Sequence, residues 1–379
     1  MRDFQQPGRS AVHALNGMCA TSHPLAAGTA VDILRRGGNA VDAALSAAVL
    51  LGLCEPQMTG LGGDLFALVH MPDGEIRALN ASGRAPAGLE AATLRTAGHA
   101  AMPVDRPEAV TVPGAVDGIC TLADSLGRIG LDAILAPAIR YAEEGVPVAA
   151  RTAFDWAVAE GRLQGPAREH YLHAGRAPAA GAIFRAPGQA EVLRRIAARG
   201  RDGFYEGEVL DDMLAALRDG PHRAADFAGP HADWTTPIRG TYRGMEVIEH
   251  PPNNQGTAAL LLLAMLERFD LAALDPTGPG RAHLEAEATK LAYDARNRFL
   301  ADPAHMHPVD RLQAPGLAAR LAALIAPDRA MGPPAPLTEE VHRDTVLVTA
   351  ADRDGMSVSL IYSIFHSFGA GLASPKFGI

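Results

Sequence analysis

Apolar residues fall at two spacings along this 379-residue chain, and the spacing changes where glycine, proline or asparagine interrupts it. "PLAAGTAVDILRR" carries them at helical intervals and stops at Gly37-Gly38, where glycine can adopt the left-handed conformation that closes helices. Asn39 then caps a second, alanine-rich helix running towards Leu53. Its run "AVDAALSAAVLLGLC" includes Asp42 and is too short to span a bilayer, so it reads as a buried helix. "DLFALVHMPDGEIRALNAS" holds two β-prone runs around Pro72-Asp73-Gly74 and predicts a hairpin. From Val112 to about Gly220 helical patterns dominate: "LDAILAPAIRYAEEG", "RTAFDWAVAEGRL", "AEVLRRIAARG" and "EVLDDMLAALRDG", each closing on or near a glycine. "TPIRGTYRGMEVIEHPPNNQG" returns to strand character, and "TAALLLLAMLERF" and "RAHLEAEATKLAYDARNRFL" predict two more helices. "MGPPAPLTEE" then has the composition of an exposed linker.

The last stretch is the most regular. "TVLVTAAD" and "SVSLIYSI" flank Arg353-Asp354-Gly355, which suits a hairpin loop whose glycine takes the left-handed position. In the second strand Val358, Leu360, Tyr362 and Ile364 point one way, and Ser357, Ser359, Ile361 and Ser363 the other. Centring the hairpin on Asp354 makes opposite residues sum to 708, which sets Thr345 across from Ser363. A slip of one residue would destroy that pairing.

Two hydroxyls at a strand end behind a linker suggest an N-terminal nucleophile. There Thr345 attacks the carbonyl of Asp344, an N-to-O acyl shift gives an ester, and its hydrolysis frees the threonine amine. That amine has a reference pKa near 8 and serves as general base for its own hydroxyl. The pattern alone leaves a second reading open, because threonine is also a favoured strand residue.

Composition narrows the alternatives. A net charge of −9 argues against a surface for nucleic-acid phosphates. The N-terminus lacks the apolar run of a signal peptide, and no segment spans a membrane, so the expected location is cytoplasmic. Cys19, Cys54 and Cys120 fit neither a zinc site nor a disulfide framework and read as small core residues. His305 and His307 lack a third ligand at suitable spacing, and His170 and His173 read as surface residues of a helix. His366, next to the last hairpin, reads as a packing residue. Gly60-Leu61-Gly62-Gly63-Asp64 lacks the Lys-Ser/Thr of a phosphate loop, and Glu285 and Glu287 do not share a helix face as a catalytic pair would. No cofactor or metal is expected.

Six segments, in order, resemble the γ-glutamyltranspeptidases (glutathione hydrolases): "GMCATSHPLAAGTAVDILRRGGNAVDAALSAAVLLGLCEPQMTGLGGDLFALVH", "TVPGAVDG", "GFYEGEV", "YRGMEVIEHPPNNQG", "HLEAEATKLAYDARNRFLADP" and "DTVLVTAADRDGMSVSLIYSIFHSFGAGLASPKFGI". The resemblance implies an α+β fold, the αββα sandwich of N-terminal-nucleophile (Ntn) hydrolases, made as one precursor. It implies autoproteolysis between Asp344 and Thr345, acyl transfer through Thr345, and a supporting hydroxyl at Ser363, where the family usually has threonine. Residues 1–344 then form the large-subunit region, with the linker at about 331–344, and 345–379 begin the small subunit. The family's small subunit continues beyond "FGI", so the expectation is a fold incomplete at the C-terminus, with sheet edge and core left exposed and turnover impaired.

Two positions depart from the family's pattern. Where members usually carry the arginine that grips the substrate α-carboxylate, this chain reads Ser82-Gly83-Arg84-Ala85-Pro86. Arg84 either takes over that grip from the same loop or is a surface arginine. Where the family has a polar asparagine two residues past Ser363, this chain has Phe365. The expected substrate is a small-molecule amide, a γ-glutamyl compound or a relative of it, with water or an amino acid as acceptor. The alternatives are an oxamate-amidohydrolase- or acylase-type member, or an inactive remnant acting as a binding protein.

Overall fold

The computed structural model describes residues 11–306, 312–332 and 346–379. Asp344, Thr345, His307 and most of the proline-rich connector lie outside them. Ten strands are described: β1 (Gly17–Ala20), β2 (Asp64–His70), β3 (Ile76–Ala81), β4 (Val146–Pro147), β5 (Ile183–Phe184), β6 (Asp233–Thr235), β7 (Ile238–Tyr242), β8 (Met245–Glu249), β9 (Val346–Asp352) and β10 (Ser357–Ser363). The chain divides into two compact units, one from residues 1–75, 79–233 and 343–379, the other from 76–78 and 234–342.

The principal sheet has the order β1-β9-β10-β2-β3-β6, so the last hairpin of the sequence runs through its interior rather than along an edge. β1 and β2 flank β9 and β10 by antiparallel pairing. One sheet face is covered by helices Pro24–Arg35, Ala40–Cys54 and Ala115–Leu126. Every residue of the second of these is buried, as its unbroken apolar run requires. Leu45, Leu50 and Leu51 are wholly inaccessible, each stabilising the fold by about 1.5–3 kcal/mol. The opposite face is half open: Met18, Leu347 and Ile361 stay 43%, 50% and 36% exposed.

Asn39 caps this helix as predicted. Its side chain accepts from the Asp42 N–H at 3.0 Å, and Asp42 accepts from the Asn39 N–H at 2.8 Å. Asp42 also takes the Arg128 N–H at 3.0 and 3.1 Å, so this buried carboxylate is held by backbone donors. A second carboxylate reaches the same helix end from the sheet. Asp352 Oδ2 accepts from the Ala40 N–H at 3.0 Å, while Oδ1 accepts from Asp354 and Met356 N–H at 2.9 and 3.1 Å. The turn of the last hairpin is thus fastened to a helix N-terminus, where negative charge is favoured.

Helices between Ala115 and Ala216 complete the first unit and hold the last residues of the chain. Tyr171 and Gln189 donate to the Gly378 carbonyl at 2.7 and 3.0 Å, and Asp212 accepts from the Lys376 and Phe377 N–H groups at 2.9 Å each. His170 takes part as well: its ring lies against Gly378 and its Nε2 is 3.0 Å from the Pro375 carbonyl. His170 is half-buried on the helix Pro166–Tyr171, and His173 is exposed, as a surface residue is, but lies beyond that helix's end.

The second unit has its own core. The β7–β8 hairpin and helices Gly256–Leu266 and Pro279–Phe299 belong to it, and Leu261, Met265, Leu284 and Leu291 lie buried there. Glu287 is buried, bonded to Lys290 at 2.7 Å and to the Met331 N–H at 2.8 Å, while Glu285 pairs with Arg281. The two acids serve separate partners, as their spacing predicts. Among the described residues no helix is long and apolar enough to cross a membrane.

Candidate active site

The pairing of β9 with β10 follows the predicted register. Ser357 faces Ala351, Leu360 faces Val348 and Tyr362 faces Val346, every pair summing to 708. Gly355 takes φ +91°, and Asp352 and Met356 close the loop at 3.0 Å. Val358, Leu360 and Tyr362 are buried beneath the helices, whereas Ser359 and Ile361 face the open side. Ser363 breaks the trend, sharing that open side yet only 5% exposed.

Ser363 is enclosed because the backbone folds around it. Its Oγ accepts from the Phe365 N–H at 2.9 Å, which turns the chain immediately after the strand. Phe365 and Phe368 adopt φ +70° and +56°, left-handed conformations that carry a strain of about 1 kcal/mol or more for a bulky residue. Phe365 is exposed, and His366 sets its ring edge-on to it, consistent with the packing role expected of that histidine. Two backbone bonds seat this turn on the loop after helix Ala40–Cys54: Ile364 N–H to Met58 O at 3.3 Å and Phe368 N–H to Gln57 O at 3.0 Å. From the neighbouring strand, Gly63 lies so close that a Cβ there would collide with the Ser363 carbonyl. Its own carbonyl accepts from Gly114 and Ala115 at 3.1 Å each, at the start of helix Ala115–Leu126.

The cross-strand partner of Ser363 is Asp64, so the two side chains share a sheet face. Burial pushes the Asp64 carboxyl up to about 7, against the lowering effect of a bond to its own backbone N–H. A carboxyl that exchanges its proton near neutrality, beside the candidate hydroxyl, went unnoticed in the sequence. Its signal was an acid leading an apolar strand straight after Gly62-Gly63. Only the neighbouring of β2 and β10 gives that acid a site.

Arg84 sits on the segment bonded to the same framework: the Val112 N–H donates to the Arg84 carbonyl at 2.9 Å, two residues before Gly114. Its guanidinium is paired with Asp233 at 3.2 Å, with both side chains largely exposed. The structure therefore links Ser363 and Arg84 through backbone and gives the arginine head a carboxylate partner. The pairing expected of Thr345 with Ser363 falls outside the described residues.

Other chemistry recedes. Burial pushes the thiols of Cys19, Cys54 and Cys120 up to about 11, 12 and 12, and so suppresses thiolate. No group of three metal-ligating side chains occurs among the described residues.

Residues 26–379 match the family described as gamma-glutamyltranspeptidase. The chain belongs to the γ-glutamyltranspeptidase family. Within this family it is 35% identical over 376 residues to the oxamate amidohydrolase proenzyme of Klebsiella pneumoniae, covering 96% of this chain and 70% of that protein. It is 33% identical over 372 residues to the glutathione hydrolase-like YwrD proenzyme of Bacillus subtilis, covering 96% and 69%. The crystal structure of cephalosporin acylase from Bacillus halodurans superposes with a TM-score of 0.89 at 37% identity, covering 100% of this chain and 71% of that one. The fold is accordingly the mixed α+β fold of the family's Ntn amidohydrolases, as the sequence resemblance implied.

Proposed function

We propose that this protein is a self-cleaving Ntn amidohydrolase in which Thr345 becomes the nucleophile and Ser363 supports it. The observation that carries this reading is the β9–β10 register: its pairs sum to 708, the sum on which the sequence pattern sets Thr345 across from Ser363. Ser363 lies on the open side of the sheet, with Asp64 next in the row. In the first step Thr345 Oγ attacks the Asp344 carbonyl carbon, the peptide C–N bond breaks, and the nitrogen takes the proton. Water then cleaves the ester, leaving the Asp344 carboxylate and a free Thr345 amine. In turnover that amine accepts the hydroxyl proton as Oγ attacks a substrate amide. The leaving amine departs with a proton, and water resolves the acyl-enzyme.

For the substrate we favour a small acyl or oxamate-like amide over a γ-glutamyl donor. Ser82 stands at the family's arginine position, and Phe365 replaces a polar contact. The oxamate amidohydrolase and cephalosporin acylase relatives are consistent with that preference. The YwrD relative keeps a γ-glutamyl donor as the second reading. Arg84 would bind a substrate carboxylate by exchanging it for Asp233. Arg84→Ala should then raise KM about tenfold or more with kcat nearly unchanged. An unchanged KM would return Arg84 to a surface role.

Intact mass under denaturing conditions tests the nucleophile. Two fragments breaking between Asp344 and Thr345, and a single uncut chain for Thr345→Ala, are expected. Fragments that persist in Thr345→Ala would refute the assignment. On cleaved protein, faster release of amine from oxamate or a simple acyl amide than from a γ-glutamyl anilide supports the favoured substrate, and the reverse order selects the second reading.

A further inference from the structure

The turn end of the β9–β10 hairpin, remote from Ser363, borders a cleft of about 450 Å³ in the first unit. Four arginines line it, Arg35, Arg36, Arg128 and Arg353, together with Asp352 and Asp354. The charges are unequally committed. Asp352 already accepts three backbone N–H bonds, Asp354 pairs with Arg128 at 3.1 Å, and Arg36 pairs with Asp32 at 2.7 Å. Arg35 and Arg353 have no hydrogen bond or ion pair among the described residues. With Asp32 counted beside Asp352 and Asp354, four positive groups meet three negative ones and leave an excess of one positive charge, in a chain whose net charge is −9. Guanidinium forks bind tetrahedral oxyanions bidentately, and among the described residues Arg35 and Arg353 are the two whose forks no carboxylate occupies. A volume within the roughly 300–1,000 Å³ range of small-molecule sites accommodates more than the anion alone.

We propose that this cleft binds a phosphate group, as free phosphate or as the head of a small phosphomonoester, held chiefly by Arg35 and Arg353. The site stands apart from the amide chemistry: β10 is seven residues long, so Ser363 lies about 20 Å away along the strand. A bound phosphate would tie the hairpin turn, through Arg353, to the end of helix Pro24–Arg35.

Phosphate, and separately glycerol phosphate, would be titrated into the full chain at constant ionic strength set by chloride, following thermal midpoint and binding heat. Three proteins are compared: the unaltered chain, Arg35→Ala/Arg353→Ala, and the control Arg218→Ala, which removes an exposed arginine elsewhere. A midpoint raised by phosphate in the first and third, with affinity weakened about tenfold or more per arginine lost in the second, is the expected result. Tighter binding of glycerol phosphate than of phosphate would identify the ester as the ligand. Equal responses in all three proteins, or no response to either compound beyond that of chloride, would overturn the proposal. Midpoints in chloride alone report whether the double variant folds; should it fail to, Arg35→Lys/Arg353→Lys, which keeps charge and loses the forks, takes its place. The readout does not depend on amidase activity.

Discussion

The two ends of the β9–β10 hairpin treat their acids in opposite ways. At the turn, Asp352 is saturated by the N–H groups of Ala40, Asp354 and Met356, and its charge fastens strand to helix. At the far end, Asp64 shares a sheet face with Ser363, and burial raises its carboxyl to about 7. The turn obeys the local rules of a well-capped fold. The other end departs from them, with two non-glycine residues at positive φ, a glycine wedged on a carbonyl and a desolvated acid. Departures that gather at one place while the rest of the hairpin stays regular are what the proposed chemistry there would require.

The largest effect expected at the chemistry end is that of Gly63→Ala. Its Cβ would force β2 away from the Ser363 carbonyl and cost about 3 kcal/mol, read as a lower urea midpoint. A loss below about 1 kcal/mol would mean that the two strands separate easily. Next comes the turn: Asp352→Ala strips three N–H groups of their acceptor and should cost about 2 kcal/mol, read on the same urea midpoint. Asp64→Asn is smaller and of opposite sign. Below about pH 4 the Asp64 carboxyl is protonated whether folded or unfolded. From there to about 7 the unfolded chain ionises first, so the folded state loses stability as pH rises through that window. The asparagine variant should therefore be more stable than the parent by on the order of 1 kcal/mol at pH 8.5 and equal to it near pH 4. Parallel stability–pH curves for the two proteins would show that Asp64 is not desolvated.

Much of this was legible in the sequence because it is local. Asn39 and Asp42 form the predicted cap, Gly355 fixes the loop, and the alternation of "SVSLIYS" yields the register residue by residue. What local pattern did not reveal was neighbourhood. Nothing in "DLFALVH" announces β10 as a neighbour, so the meeting of Asp64 with Ser363 stayed hidden. Arg84 was recognised as a candidate, yet its partner Asp233 lies 149 positions away. The contact of His170 was hidden too, because the Pro375 carbonyl that its ring meets comes 205 positions later.

The strand order has a consequence for how the protein is made. Thr21 donates to the Leu347 carbonyl across 326 positions, and β9 and β10 fill the gap between β1 and β2. Until ribosomes have delivered β9 and β10, the first two have no partners between them, and closing so long a loop comes late. The nascent chain must therefore wait with a divided sheet, a state prone to wrong pairing. A cut at the head of β9 that depends on the folded sheet therefore waits until β9 and β10 have entered between β1 and β2.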